Sequence, residues 1–179
     1  MKNMKRFIVF ALTAALSIAG SFAAFAAEGT SVKQGTDNVT VINVFDPSDP
    51  HLVAIVDPAE DSFARTTSRP TSHYDLESEG QYKYSAYSNN NVMWSKYIFD
   101  TNFGSFRVYG TTNGTKAYRV VFHNCDNGKD YYYAPELSSE FDAYEYNVGG
   151  GIKPSSFYFG IDTTVSKSAV SVNGFVETY

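Results

Sequence analysis

Apolar and polar positions alternate with a period of two along most of the chain after Gly80. Tyr82, Tyr84 and Ala86 alternate with Lys83, Ser85 and Tyr87. Period two sends successive side chains to opposite faces, which is the mark of a strand packed on one side. The same pattern returns at 92–99, 105–111, 116–123, 130–134 and 141–148. Phe157, Phe159 and Ile161 share one face of a further segment, and Val170, Val172, Gly174 and Val176 share one face of the last. Two earlier segments, 39–45 and 52–56, read as strands as well. Apart from the first 26 residues, no segment has a helical period over a useful length.

Turn chemistry separates these runs. Asp46-Pro47-Ser48-Asp49-Pro50, Asn89-Asn90-Asn91, Asp126-Asn127-Gly128 and Gly149-Gly150-Gly151 all break the alternation. Asn113-Gly114 lies between two alternating runs and predicts a hairpin there. About ten short strands, spaced by turns every 10 to 15 residues in the second half, predict an all-β fold. The expected architecture is an antiparallel β-sandwich of jelly-roll type. Val108, Val120, Phe122, Phe157, Phe159, Ile161, Val170 and Val172 are its expected core. The connection at 57–80 is polar and long, with Phe63, Tyr74 and Leu76 as its large apolar residues. It reads as a mobile linker, and with the polar lead-in at 27–37 it gives a mobile N-terminal segment. The expected organisation is therefore 1–26 as a signal peptide, 27–80 as an N-terminal segment with two strands and a linker, and 81–179 as the sandwich domain.

The leader carries the clearest functional information. Lys2, Lys5 and Arg6 form a basic head, an apolar run follows from Phe7 to Phe25, and Ala24-Phe25-Ala26 ends it with a small-x-small cleavage site. This three-part layout predicts export and removal of the leader. No second apolar stretch follows, so no membrane span remains after cleavage, and release to the cell exterior is expected. In general layout the chain resembles the small exported β-sandwich proteins of Gram-positive bacteria, a likeness that names no family and assigns no residue.

Charge and cysteine content narrow the partners. The chain holds 14 Lys and Arg against 19 Asp and Glu, a formal charge of −5 that becomes −8 without the leader. Such an acidic surface argues against nucleic acid, anionic membranes and polyanionic wall polymers, and would suit calcium or a basic partner. The lone Cys125 admits no internal disulfide. His123 lies two residues before it, on the same strand face, which permits a thiol–imidazole pair. A lone cysteine is more often a small apolar group. The run 126–130 offers several oxygens to calcium, yet a hairpin turn needs the same residues for backbone reasons.

No catalytic, metal or cofactor motif is present, so no catalytic residue, metal ligand or cofactor is assigned. What remains is an excess of aromatic rings, 14 Tyr, 14 Phe and one Trp. Tyr82, Tyr84, Tyr87, Trp94, Tyr131, Tyr132 and Tyr133 are the candidate binding residues. Flat amphipathic rings on a rigid sheet stack against sugars and also grip proteins. Three adjacent tyrosines point to both faces of a strand, so at least one of Tyr131, Tyr132 and Tyr133 is expected at the surface. The expected function is a secreted, non-catalytic binding or adhesion domain for an extracellular glycan or protein. The alternatives are a toxin, bacteriocin-like or inhibitor protein, and an enzyme without a recognisable motif. Sequencing the N-terminus of the protein from culture medium should give Ala27 or Glu28. An intact chain starting at Met1 in the membrane fraction would overturn the export reading.

Overall fold

The computed structural model describes residues 39–58, 68–101, 104–113, 117–135, 138–145 and 155–178. The chain divides into two units, Met1–Asp37 and Asn38–Tyr179, and the described residues all belong to the second. The expected leader, the lead-in at 27–37 and residues 59–67 of the expected linker lie outside them.

The described residues form twelve strands and one helical turn. In chain order they are β1 (Val39–Asn43), β2 (Leu52–Val56), β3 (His73–Asp75), α1 (Leu76–Glu79), β4 (Tyr82–Asn89), β5 (Val92–Trp94), β6 (Ile98–Thr101) and β7 (Phe106–Thr112). Then come β8 (Arg119–Asn124), β9 (Lys129–Tyr133), β10 (Glu140–Glu145), β11 (Ser155–Asp162) and β12 (Ala169–Thr178). One sheet has the order β1-β10-β7-β12-β4. The other has the order β2-β9-β8-β11-β6-β3, with β5 pairing β11 beside β6.

The order identifies the fold. β5 and β6 pair with the two ends of β11 and act as one interrupted strand. The break falls where Ser95 Oγ donates to Tyr97 O at 3.0 Å, a local bond that competes with the ladder. With β5 and β6 counted together, β4 to β12 make eight strands, ordered β4-β12-β7-β10 and β6-β11-β8-β9. All their pairings are antiparallel, and this is the jelly roll. Three strands extend it. β1 joins β10 in parallel, β2 joins β9 antiparallel, and β3 joins β6 in parallel. The compact unit thus begins at Asn38 rather than near Gln81. Pairing with β10 and β9 is what brings β1 and β2 into the sheets.

The eight expected core residues all lie in the main core between the sheets. Phe106 of one sheet stacks on Phe157 of the other, with centroids 3.6 Å apart and planes 13° from parallel. Phe99, Phe122 and Phe159 surround that pair. Burial of each ring contributes on the order of 2–3 kcal/mol.

Two local expectations are corrected. β7 and β8 do not form the hairpin that Asn113-Gly114 suggested, for they lie in opposite sheets. Each finds its partners far away in sequence, β7 with β10 and β12, β8 with β9 and β11. The Asp126-Asn127-Gly128 turn does close a hairpin, with Gly128 at φ 71 and its N–H on Asn124 O at 2.8 Å. The linker is also not featureless. Its described end contains β3 and α1, and Asp75 caps α1 by accepting from Glu77 N at 2.9 Å.

Two glycines set a close contact that matters below. Gly110 and Gly174 are cross-strand partners on β7 and β12. The Tyr84 ring passes over them, and its hydroxyl donates to Tyr109 O at 3.0 Å. A Cβ on Gly174 would fall 1.9 Å from Tyr109 O and 2.8 Å from the Tyr84 hydroxyl oxygen. Backbone cannot yield as a flexible side chain can. Gly174→Ala should therefore destabilise the fold by about 3 kcal/mol, measured by urea unfolding. A variant as stable as the parent would show that the contact is not tight.

Candidate functional site

The seven candidate rings fall into two groups with different fates. Tyr82, Tyr84, Tyr87 and Trp94 line one groove of about 460 Å³. It opens at the side of the sandwich, where β4, the last strand of one sheet, lies beside β5 of the other. Alternation along β4 splits its residues between the two sides of the edge. Tyr82, Tyr84 and Ala86 lean inward, and Lys83, Ser85 and Tyr87 are exposed. Phe159 and Ile161 form part of the groove wall, which the core therefore holds rigid.

The rings in the groove do different work. Tyr87 is the accessible platform, 57% exposed. Tyr84 is tethered by its bond to Tyr109 O and packs on Phe159, and burial pushes its hydroxyl well above the usual range. Tyr82 joins Tyr74 and Tyr97 in a trio with centroids 5.1 to 5.6 Å apart. Trp94 is largely buried, and its ring covers Gly160. Its Nε1–H has no hydrogen-bond partner among the described residues, so the ring is held there by its faces. Lys83, Met93, Ser95 and Lys96 complete the rim. The Lys96 ammonium sits 4.9 Å from the Tyr97 ring centroid, and its interaction with Tyr97 raises its pKa.

Tyr131, Tyr132 and Tyr133 are elsewhere, and the expected exposure of one of them is corrected. All three are buried, at 7%, 3% and 0% exposure. Tyr131 and Tyr133 belong to the main core. The Tyr133 hydroxyl accepts from Phe45 N at 2.8 Å, and Tyr131 accepts from Asn127 Nδ2 at 2.9 Å. Tyr132 points to the opposite face, but that face is covered too. It packs in a second cluster with Val92, Trp94, Val121 and Tyr158 under the Arg119 guanidinium, which lies 4.8 Å from its centroid.

This outer face carries a polar network that sequence reasoning missed. Asp130, with no exposed surface, is held by Arg69 Nη2 at 2.6 Å and Nη1 at 3.1 Å. Arg69 Nη1 also donates to the Tyr158 hydroxyl, and its guanidinium lies 4.7 Å from the Trp94 ring centroid. An ionised carboxylate only accepts, so His123 donates Nδ1–H to Asp130 Oδ1 at 2.7 Å. Its ring stacks on Tyr158 at 4.4 Å. Asp162 repeats the motif, paired with Arg119 Nε at 2.7 Å. Removing one partner from such a buried pair costs about 3–5 kcal/mol. Arg69 belongs to the polar connection and had no sequence mark beyond its charge. The apolar runs Val120-Val121-Phe122 and Phe157-Tyr158-Phe159 were the available sign that both faces of this sheet are covered.

The thiol and the acidic turn read as structural features. The Cys125 thiol is raised to about 11 by partial burial and by Asp126 and Asp100, away from the thiolate a nucleophile needs. The Asn124 and Asn127 side-chain oxygens in the 124–130 segment accept from backbone N–H groups, and Asp130 is committed to Arg69 and His123. Among the described residues no group of His, Cys, Asp and Glu is arranged to hold a metal. No known protein family, curated protein or solved structure matches the chain.

Two carboxyls give the fold opposite pH responses. Burial tends to raise Asp130, but hydrogen bonds from His123 and Arg69 outweigh it and hold the carboxyl low. Its stabilisation is present above its ordinary value of 3.8 and is lost as pH falls through its folded value. Glu145 is raised from 4.5 to about 7 by burial and by Asp126. The folded state therefore keeps a proton that the unfolded chain has released. That contribution is full below 4.5 and is lost as pH rises through about 7. Urea unfolding should show stability falling between pH 5 and 8, and Glu145→Gln should flatten the slope. An unchanged slope in the variant would remove Glu145 from this role.

Proposed function

We propose that the protein is a secreted, non-catalytic binding domain that takes an extracellular glycan in the groove between β4 and β5. The observation that supports this most is the convergence of Tyr82, Tyr84, Tyr87 and Trp94 on one groove of about 460 Å³. A volume in this range suits a short stretch of sugar chain. Tyr87 offers a flat exposed ring for the C–H face of a sugar, and Tyr82, Ser85 and Ser95 bring hydroxyls for its polar edge. The walls rest on core residues, so little ordering is needed on binding. The basic head, apolar run and cleavage site of the leader support export.

A second reading rests on the strand edge itself. β4 is eight residues long and pairs only with β12 among the described residues. An unpaired edge of this length can accept an extended segment of another protein, as an inhibitor or toxin would use it. The rings beside it favour the glycan, because strand addition needs backbone contact rather than stacking.

Tyr87→Ala separates binding from folding, since this ring is exposed and outside the core. It should weaken glycan binding about tenfold, the loss of one stacking platform, with an unchanged circular dichroism spectrum. Trp94→Ala is unsuitable because the ring is buried. Glycan array and calorimetric titration give the measurement. Affinity unchanged in Tyr87→Ala would sink the groove as the binding site.

A further inference from the structure

We infer that the groove selects an acidic polysaccharide, one built from uronic acid sugars. This rests on the glycan reading above and adds the chemistry of the sugar. The chain as a whole is acidic, with 19 Asp and Glu against 14 Lys and Arg. The groove reverses that balance. Among the described residues its lining contains Lys83 and Lys96 and no acidic residue. Both lysines are exposed, and neither has a carboxylate partner among the described residues. The nearby acid of β12, Glu177, is held by Arg107 Nη1 at 3.3 Å and Gln81 Nε2 at 2.8 Å. Lys96 keeps its charge beside the Tyr97 ring.

Local charge governs recognition at this range. The screening length is about 8 Å at physiological ionic strength. The acidic surface beyond the groove is therefore largely screened, while the two ammonium groups act on what the groove holds. An anionic ligand follows from that, and the aromatic walls require flat rings between its charges. A uronic acid polymer meets both demands, with a stackable C–H face and one carboxylate per sugar. A more densely charged sulfated polymer brings more anionic groups than the two cations of the groove can meet, so its extra charges would lose water without gaining a partner. An acidic peptide supplies carboxylates but no ring to stack on Tyr87.

Calorimetric titration of the exported chain against polygalacturonate tests the inference. Its comparison ligands are the same polymer with carboxyls reduced to alcohols, a sulfated glucan and poly-glutamate. Polygalacturonate should bind at least tenfold more tightly than the reduced polymer, and raising the salt from 0.05 to 0.5 M should weaken it. The double variant Lys83→Gln, Lys96→Gln should lose about fivefold to twentyfold, as two exposed charge contacts do. Should that variant fail to fold, the salt series and the reduced polymer on the parent chain decide alone. Equal binding of the reduced polymer would overturn the acidic preference and leave the glycan reading standing. Sulfated glucan or poly-glutamate bound as tightly as polygalacturonate would overturn the uronic assignment. Failure of every glycan tested, in this set and on the array, would remove both readings together.

Discussion

A carboxylate placed entirely out of water is the constraint on which this structure depends. Asp130 sits on the outer face of a β-sheet, a location that would ordinarily be wet. Its charge is tolerable there only with several donors, and Arg69 and His123 meet that need. Arg69 comes from the connection between β2 and β3, the two opposite edges of the same sheet. Five strand spacings separate those edges, roughly 24 Å. The Arg69–Asp130 pair holds Arg69 on this face, where it helps cover Trp94 and Tyr158. The centre of the sheet consequently has two buried faces, and β8, β9 and β11 carry apolar residues on both sides.

That arrangement also decides where a ligand can go. With the outer face of one sheet covered around Trp94 and Tyr158, the open side between β4 and β5 presents the exposed Tyr87 ring. Trp94 links the two regions, for it packs in the outer cluster and also borders the groove. The glycine pair at 110 and 174 lets Tyr84 cross two strands and fix the groove floor from beneath. Distortion in either place would be felt in the other.

The cations divide between structure and surface according to their chemistry. All three described arginines, 69, 107 and 119, pair with carboxylates through planar, multi-donor contacts. Lys83 and Lys96 have no carboxylate partner among the described residues and line the groove, where a hydrated ammonium on a flexible stem can meet an incoming anion. The same acidic chain can therefore present a locally basic site.

The sequence by itself determined most of the strands, the eight expected core residues and the sandwich, because period-two alternation is a local property that burial on one side enforces. Val120 and Phe122 faced the core as their spacing required, and Asp126-Asn127-Gly128 turned where its residues allow. It also marked Tyr82, Tyr84, Tyr87 and Trp94 as candidate rings, but could not tell them from Tyr131, Tyr132 and Tyr133. That distinction needs the cover over each face, which the opposite sheet supplies for Tyr131 and Tyr133 and Arg119 with its apolar neighbours for Tyr132. The partners of β7 and β8 were equally out of reach, since strand pairing depends on competition among remote segments and a local Asn-Gly signal can lose it. Only the tertiary structure put β4 and β5, joined by two residues, into different sheets and so opened the groove between them, because nothing in two short segments records which sheet each will enter.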